Sequence, residues 1–262
     1  MRASAREIGN TSFWILKGKE MEKKGKNVIR EYVEAFGVAI LAALILRALV
    51  IQAFRIPTGS MKDTLLVGDF LLVNKFIYGA QTPTRIPIAD IKLPSFRFPA
   101  LTKPKHGEII VFKYPWDEKL DYIKRCIGVP GDTLELRQGV VYINGKPEGK
   151  LTFIEKKFDA SEGYYVNYYR VETDYGLSYT IRHYADSNRR FDNYGPHVVG
   201  PNSLFMMGDN RDNSQDSRYW GDMPMKNIVG KALVIYWSWD KNEALWKIFS
   251  KVRWNRIFGS IH

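Results

Sequence analysis

The stretch that most constrains this chain is "YVEAFGVAILAALILRALVIQAF", residues 32–54. It contains one Glu, one Arg and one Gln, and about twenty mainly apolar residues suffice to span a bilayer as a helix. Glu34 stands at the entry, and Arg47 stands late enough to reach the far interface with its guanidinium. A buried core helix is the competing reading, but such helices are seldom apolar on every face. A cleaved leader is another. Against it, the basic segment ahead is long and no Ala-x-Ala-like site follows. The reading adopted is a retained, single-pass signal anchor over 32–54. Residues 1–31 carry eight Lys/Arg (Arg2, Arg6, Lys17, Lys19, Lys23, Lys24, Lys26, Arg30) against four Glu (Glu7, Glu20, Glu22, Glu31). Positive charge before a span keeps that side in the cytoplasm. The sequence therefore predicts a cytoplasmic segment 1–31 and an external remainder.

The formal charge of +11 raises nucleic acid as a partner, but no zinc-finger spacing and no aromatic-basic RNA-binding pattern accompanies it. The basic residues ahead of the apolar run read better as a topology signal. One cysteine, Cys126, leaves an external domain without an internal disulfide, so its fold must rest on packing. Its apolar surroundings predict a buried, inert thiol.

Beyond residue 65 the strand signals dominate. "LLVGDFLLVNKFIYG", "GEIIVFKYP", "YIKRCIGVPGD", "GVVYINGKP", "SLFMMGDN" and "GKALVIYWSW" are short apolar runs closed by Gly, Pro or Asn-Gly turns. No long helical period occurs between 55 and 240. The prediction is a mainly β protein: an antiparallel β domain from 55–149 and 201–262, with a small β insertion at 150–200. That insertion is rich in tyrosine (Tyr164, Tyr165, Tyr168, Tyr169, Tyr175, Tyr179, Tyr184, Tyr194) and predicts a sheet with one wet face. The tail "ALWKIFSKVRWNRIFGSIH" reads either as a basic amphipathic helix on lipid or as a packed terminus.

No metal site is evident. His106, His183, His197 and His262 are far apart and read as surface or turn residues. The loop "GDNRDNSQDSRYWG", 208–221, mimics a calcium loop, but Gln215 replaces the turn glycine and Gly221 the closing glutamate. Such a loop, joined directly to "SLFMM", is expensive unless its polar groups are paired or exposed. Ser60, in "PTGSMK", can be a nucleophile only if something takes its proton, and lysine can do so when its amine is neutral. In "YIKRC", strand alternation puts Tyr122, Lys124 and Cys126 on one face, giving Lys124 apolar company. A solvated strand lysine is the plain alternative, and Lys62 is a rival base with no sign of burial. An S-x-x-K pattern occurs only as Ser238–Lys241, without companion motifs.

Five blocks in order, the anchor, "IPTGSMKDTLLVGDFLLVNKF", "HGEIIVFKYP", "DYIKRCIGVPGD" and "FMMGDNRDNSQDSRYWG", resemble bacterial signal peptidase I, the membrane-bound Ser-Lys enzyme that removes signal peptides. The resemblance covers most of 31–235 and is weak over 150–200 and the tail. It implies Ser60 as nucleophile, Lys124 as general base, Ser214 orienting the lysine amine, and Tyr122 shielding it from water. It implies an oxyanion site made by the Ser60 N–H and the Thr58 hydroxyl, where many relatives have Ser. It implies ion pairs Asp209–Arg125 and Asp216–Arg218 holding the polar loop. Phe54, Ile56, Pro57, Leu65 and Ile123 are implied as walls of shallow pockets for small side chains. The implied partners are exported preproteins with a small-x-small site, membrane lipid and a nearby secretion translocon; no metal or organic cofactor is implied. The implied setting is the bacterial inner membrane, with the catalytic domain on the periplasmic side.

Overall fold

The computed structural model describes residues 28–44, 46, 50–82, 85–86, 91–92, 94, 96–185, 192–241, 243 and 246–261. The chain divides into two units, 1–48 and 49–262. In the first, residues 28–44 form helix α1, and each of them is exposed, including Tyr32, Val33, Phe36 and Val38. No described helix is long and apolar enough to cross a membrane. The expected span 32–54 also runs over residues 45 and 47–49, which lie outside the described set.

The end of that span differs from the expectation. Ile51–Arg55 is strand β1, paired antiparallel with β2, Asp69–Asn74, from Ile51 opposite Asn74 to Arg55 opposite Phe70. "IQAFR" alternates exposed and half-buried residues, the period-2 pattern of a strand that covers one face. Within a long apolar run that short pattern cannot be told from the end of a helix.

The second unit is mainly β. After the short ribbon of β3, Arg85–Ile86, and β4, Ile91–Lys92, come β5, Ile109–Tyr114, and β6, Asp117–Gly128. Strands β7, Thr133–Arg137, β8, Val140–Ile143, and β9, Lys146–Pro147, follow, then β10, Lys150–Asp159, β11, Tyr164–Glu172, and β12, Ser178–Tyr184. The chain continues through β13, Tyr194–Val198, β14, Ser203–Met207, helix α2, Ser217–Trp220, β15, Met223–Pro224, β16, Ile228–Ser238, and helix α3, Ile248–Lys251. A seven-stranded sheet has the order β1-β2-β16-β5-β6-β14-β15; β13-β7-β8-β9 form a second sheet and β10-β11-β12 a third.

Both faces of the large sheet are covered. Ile109, Val111 and Ile123 pack with Ile56, Met61, Leu65, Leu71, Val73, Ala232 and Ile235. Ile110, Phe112 and Cys126 pack on the other side with Tyr78, Leu204, Met206, Trp220 and Met223. Hence β6 is buried without a break from Ile123 to Gly128, so its alternation assigns residues to two cores rather than to core and water. In the third sheet β10 is exposed almost throughout while β12 is largely buried. His183 on β12 is 4% exposed. This corrects the expectation of a surface histidine: His183 shares its strand face with buried Ile181, and Arg182 on the opposite face is buried as well.

The tail docks by its backbone. Phe258 N–H donates to Ile235 O, Ile235 N–H to Gly259 O, and Ile261 N–H to Leu233 O. Arg256 reaches the Asp69 carboxylate at 2.7 Å. Trp246, Phe249 and Phe258 remain exposed.

Candidate active site

Past β1 the chain keeps pairing for one residue, Ile56 N–H donating to Asp69 O at 2.9 Å, and then turns through Pro57–Gly59. A tight turn follows, closed by Leu65 N–H to Met61 O at 2.7 Å. Met61 and Leu65, at its two ends, are wholly buried. Driving them into the core fixes Ser60 at the inner end of the turn, 9% exposed. Asp63 has φ 79°, the left-handed region that disfavours a residue with a Cβ.

Lys124 on β6 faces this turn. It is 3% exposed, its Nζ lies 2.6 Å from Ser60 Oγ, and it donates to Ile123 O at 3.1 Å. The Tyr122 ring centroid lies 5.2 Å from Nζ. Tyr122 itself stacks on Tyr114 at 4.5 Å. Burial lowers the Lys124 pKa to about 8; Asp216 and Asp209 work against the shift and Arg218 adds to it. The resulting site holds a hydroxyl against an amine whose pKa burial has brought down to about 8.

The polar loop after β14 closes the site. Arg125 grips Asp209 with two hydrogen bonds, Nε to Oδ1 at 2.8 Å and Nη2 to Oδ2 at 2.6 Å, and neither side chain is exposed. Arg218 grips Asp216 in the same way, at 2.8 Å each. Asp216 also caps α2 through Arg218 N–H. Burial alone raises the Asp216 pKa; Arg218 reverses that and leaves it below the usual carboxylate value. Asp212 is held by His183 and Tyr184 N–H. The carboxylates that suggested calcium are thus engaged by cations and N–H groups, and among the described residues no cluster of metal-ligating groups occurs.

Ser214 differs from the expectation. No hydrogen bond joins it to Lys124, whose amine is directed at Ser60 Oγ and Ile123 O. The buried Ser214 Oγ lies near enough to Asp216 to help keep it ionised, yet outside hydrogen-bond geometry. It packs instead on Gly208, where a Cβ would fall 2.3 Å from Ser214 Oγ and 2.4 Å from Ser60 O. Thr58 and Pro57 are exposed on the turn. Ile56, Leu65 and Ile123 belong to the core beneath Ser60, with Phe54 half-buried against them.

Several contacts escaped the sequence. Thr64 Oγ1 donates to Asp209 Oδ2 at 2.6 Å, tying the turn at Ser60 to the polar loop. Asn210 N–H donates to Ser60 O at 3.1 Å, and its Nδ2 to Gly59 O at 3.1 Å. Lys62, the rival base, points away from Ser60 into Asp159 and Ser161. Thr64 and Asn210 lie inside stretches that had already stood out, whereas nothing local marked Asp159.

Comparison with known proteins gives one answer. The family model described as signal peptidase, peptidase S26, matches residues 29–237. The signal peptidase I of Pseudomonas aeruginosa is 35% identical over 246 residues, covering 84% of this chain and 76% of that protein. That of Buchnera aphidicola is 34% identical, covering 97% and 88%, and that of Rickettsia typhi 32% identical, covering 93% and 98%.

Proposed function

We propose that this chain, which belongs to the signal peptidase family, peptidase S26, removes signal peptides from exported preproteins by cutting after a small-x-small site with a Ser60–Lys124 dyad. The observation that carries the reading is the buried contact of Lys124 Nζ with Ser60 Oγ at 2.6 Å. Neutral Lys124 takes the Ser60 proton as Oγ attacks the scissile carbonyl carbon. The Ser60 N–H and the Thr58 hydroxyl donate to the oxyanion. The lysine then returns the proton to the departing amine of the mature chain, leaving an ester on Ser60. Water, deprotonated by the same amine, hydrolyses that ester and frees the signal peptide. Ser214 keeps the lysine's surroundings in place through Gly208 and Asp216 rather than by a direct bond.

The substrate lies along β1 and the turn after it, with Phe54, Ile56, Pro57, Leu65 and Ile123 forming the apolar ground on which only small side chains fit. A single membrane anchor in the run that starts at residue 32 brings the site to the inner-membrane surface, on the periplasmic side and near the translocon. The exposed apolar residues of α1 beyond Glu34, among them Phe36, Val38, Ile40, Leu41 and Leu44, support a membrane anchor in this run. The catalytic domain takes in 55–149 and 201–262, and the insertion 150–200 contributes the sheet β10-β11-β12, while its β13 returns to pair with β7.

The test is cleavage of a preprotein with an Ala-x-Ala site by the full chain in detergent, beside Ser60→Ala and Lys124→Met. The wild type is expected to cut after the second Ala, with kcat/KM rising as pH passes about 8. Turnover by Lys124→Met at the wild-type rate would refute the dyad.

A further inference from the structure

The turn that carries Ser60 is held from outside the catalytic sheet. Glu162, in the turn between β10 and β11, accepts from Asn210 Nδ2 at 3.0 Å, and the same Nδ2 donates to Gly59 O at 3.1 Å. Glu162 Oε1 would stand 3.9 Å from a Cβ on Gly59, so the carboxylate lies directly beside the nucleophile turn. Lys62 Nζ binds the Asp159 carboxylate, donates to Ser161 Oγ at 2.6 Å, and stands 3.8 Å from Glu162 Oε1. Arg182 of β12 closes the cluster: Nη2 lies 2.7 Å from Asp159 and 3.3 Å from Glu162, and Nη1 lies 3.4 Å from Asp63. Two cations thus meet three carboxylates, and none of the five side chains is more than 31% exposed.

The geometry reaches the chemistry through one peptide unit. Gly59 C=O and Ser60 N–H belong to the same planar amide and point in opposite directions. Whatever fixes the Gly59 carbonyl therefore aims the Ser60 N–H. The Asn210 side-chain amide fixes that carbonyl, and Glu162 fixes Asn210. The next peptide is held as well, since Asn210 N–H donates to Ser60 O at 3.1 Å. Two residues on, Lys62 anchors the turn to Asp159, and Asp63 carries its left-handed φ of 79° against Arg182. A strained residue this close to a nucleophile persists only where the surroundings over-determine it.

We propose that Glu162, acting through Asn210, is a positioning residue that aims the Ser60 N–H at the developing oxyanion, with Lys62 and Asp159 clamping the same turn to the insertion. The insertion is then part of the catalytic apparatus rather than added surface. The inference rests on the reading of Ser60 as nucleophile and its N–H as oxyanion donor.

The experiment measures kcat, KM and the pH profile of preprotein cleavage by the full chain in detergent, with thermal melting beside it. Glu162→Ala is expected to lower kcat about 10- to 100-fold with KM nearly unchanged, the size of a misdirected oxyanion donor. Its pH midpoint, set by Lys124, stays in place. Glu162→Gln keeps an oxygen acceptor for Asn210 and restores most of the loss. Wild-type kcat in Glu162→Ala, a rise in KM alone, or equal loss in Ala and Gln variants overturns the proposal. Lys62→Met is a second arm that leaves Glu162 beside Arg182: kcat falls about fivefold and Lys62→Arg restores it. Wild-type kcat in Lys62→Met overturns the proposal even where Glu162→Ala is too unstable to assay. Lys124→Met separates the two levels. If it turns over normally, the dyad reading fails; if it is dead while Glu162→Ala is normal, only the present inference fails.

Discussion

Lys124 keeps its amine where burial lowers its pKa from 10.5 to about 8. Holding the proton there costs roughly 3 kcal/mol relative to water, at about 1.4 kcal/mol per pKa unit. The folded-state value is depressed and the group is a cation, so the unfolded chain binds more protons between pH 8 and 10.5. Stability from this group therefore rises with pH across that window, and the full penalty is present below pH 8. Lys124→Met removes the penalty and fills similar volume, but loses the contacts to Ser60 Oγ and Ile123 O, worth about 1 kcal/mol each. At pH 7 the variant should be more stable than the wild type by about 1 kcal/mol. At pH 9.5 the wild type has regained about 2 kcal/mol, and the order reverses. The assay is urea denaturation of both chains in detergent at the two pH values, with ΔG extrapolated to zero denaturant. Other titrating groups are common to both and cancel in the difference. A difference that stays constant, or that moves in the variant's favour as pH rises, would refute a buried lysine of depressed pKa.

Two further substitutions probe the loop over Ser60 and Lys124. Gly208→Ala puts a Cβ within 2.4 Å of Ser60 O and 2.3 Å of Ser214 Oγ; cleavage should fall at least about tenfold and the melting temperature should drop, whereas wild-type activity would mean that the turn and loop can part at no cost. Asp209→Ala removes the carboxylate that neutralises Arg125 in a site with no exposure and strips Thr64 of its acceptor, so thermal or urea unfolding should show a loss of about 3–5 kcal/mol. Replacing both partners, Arg125→Met with Asp209→Leu, should cost less than the single change; a larger cost would show that the pair contributes more than mutual neutralisation.

How far the site could be read from sequence follows from the distance between its parts along the chain. Tyr122, Lys124 and Cys126 stand two residues apart, and the strand period alone puts Lys124 near apolar neighbours. That Ile123 and Arg125 are buried as well could not be read there, because their cover comes from Met61, Leu65, Tyr179 and Asp209, far off in sequence. "IQAF" looked like the last turn of a helix because four residues at the end of an apolar run are too few to separate a strand period from a helical one; its pairing with residues 71–74 decides the matter. Ser214 stood in the right loop, but its hydroxyl direction depends on Gly208, whose missing side chain lets the loop approach Ser60. The charges of the insertion are the hardest case. Asp159, Glu162 and Arg182 sit among tyrosines and lysines in a stretch with few aliphatics, and any local reading makes them a solvated face. Arg182 is nevertheless 1% exposed, because two carboxylates of the insertion and one from the turn after Ser60 compensate its charge in place of water. Burial of a charge depends on which opposite charges the fold brings to it, so the functional weight of this cluster becomes legible only when strand β12 and the turn at Ser60 are seen side by side.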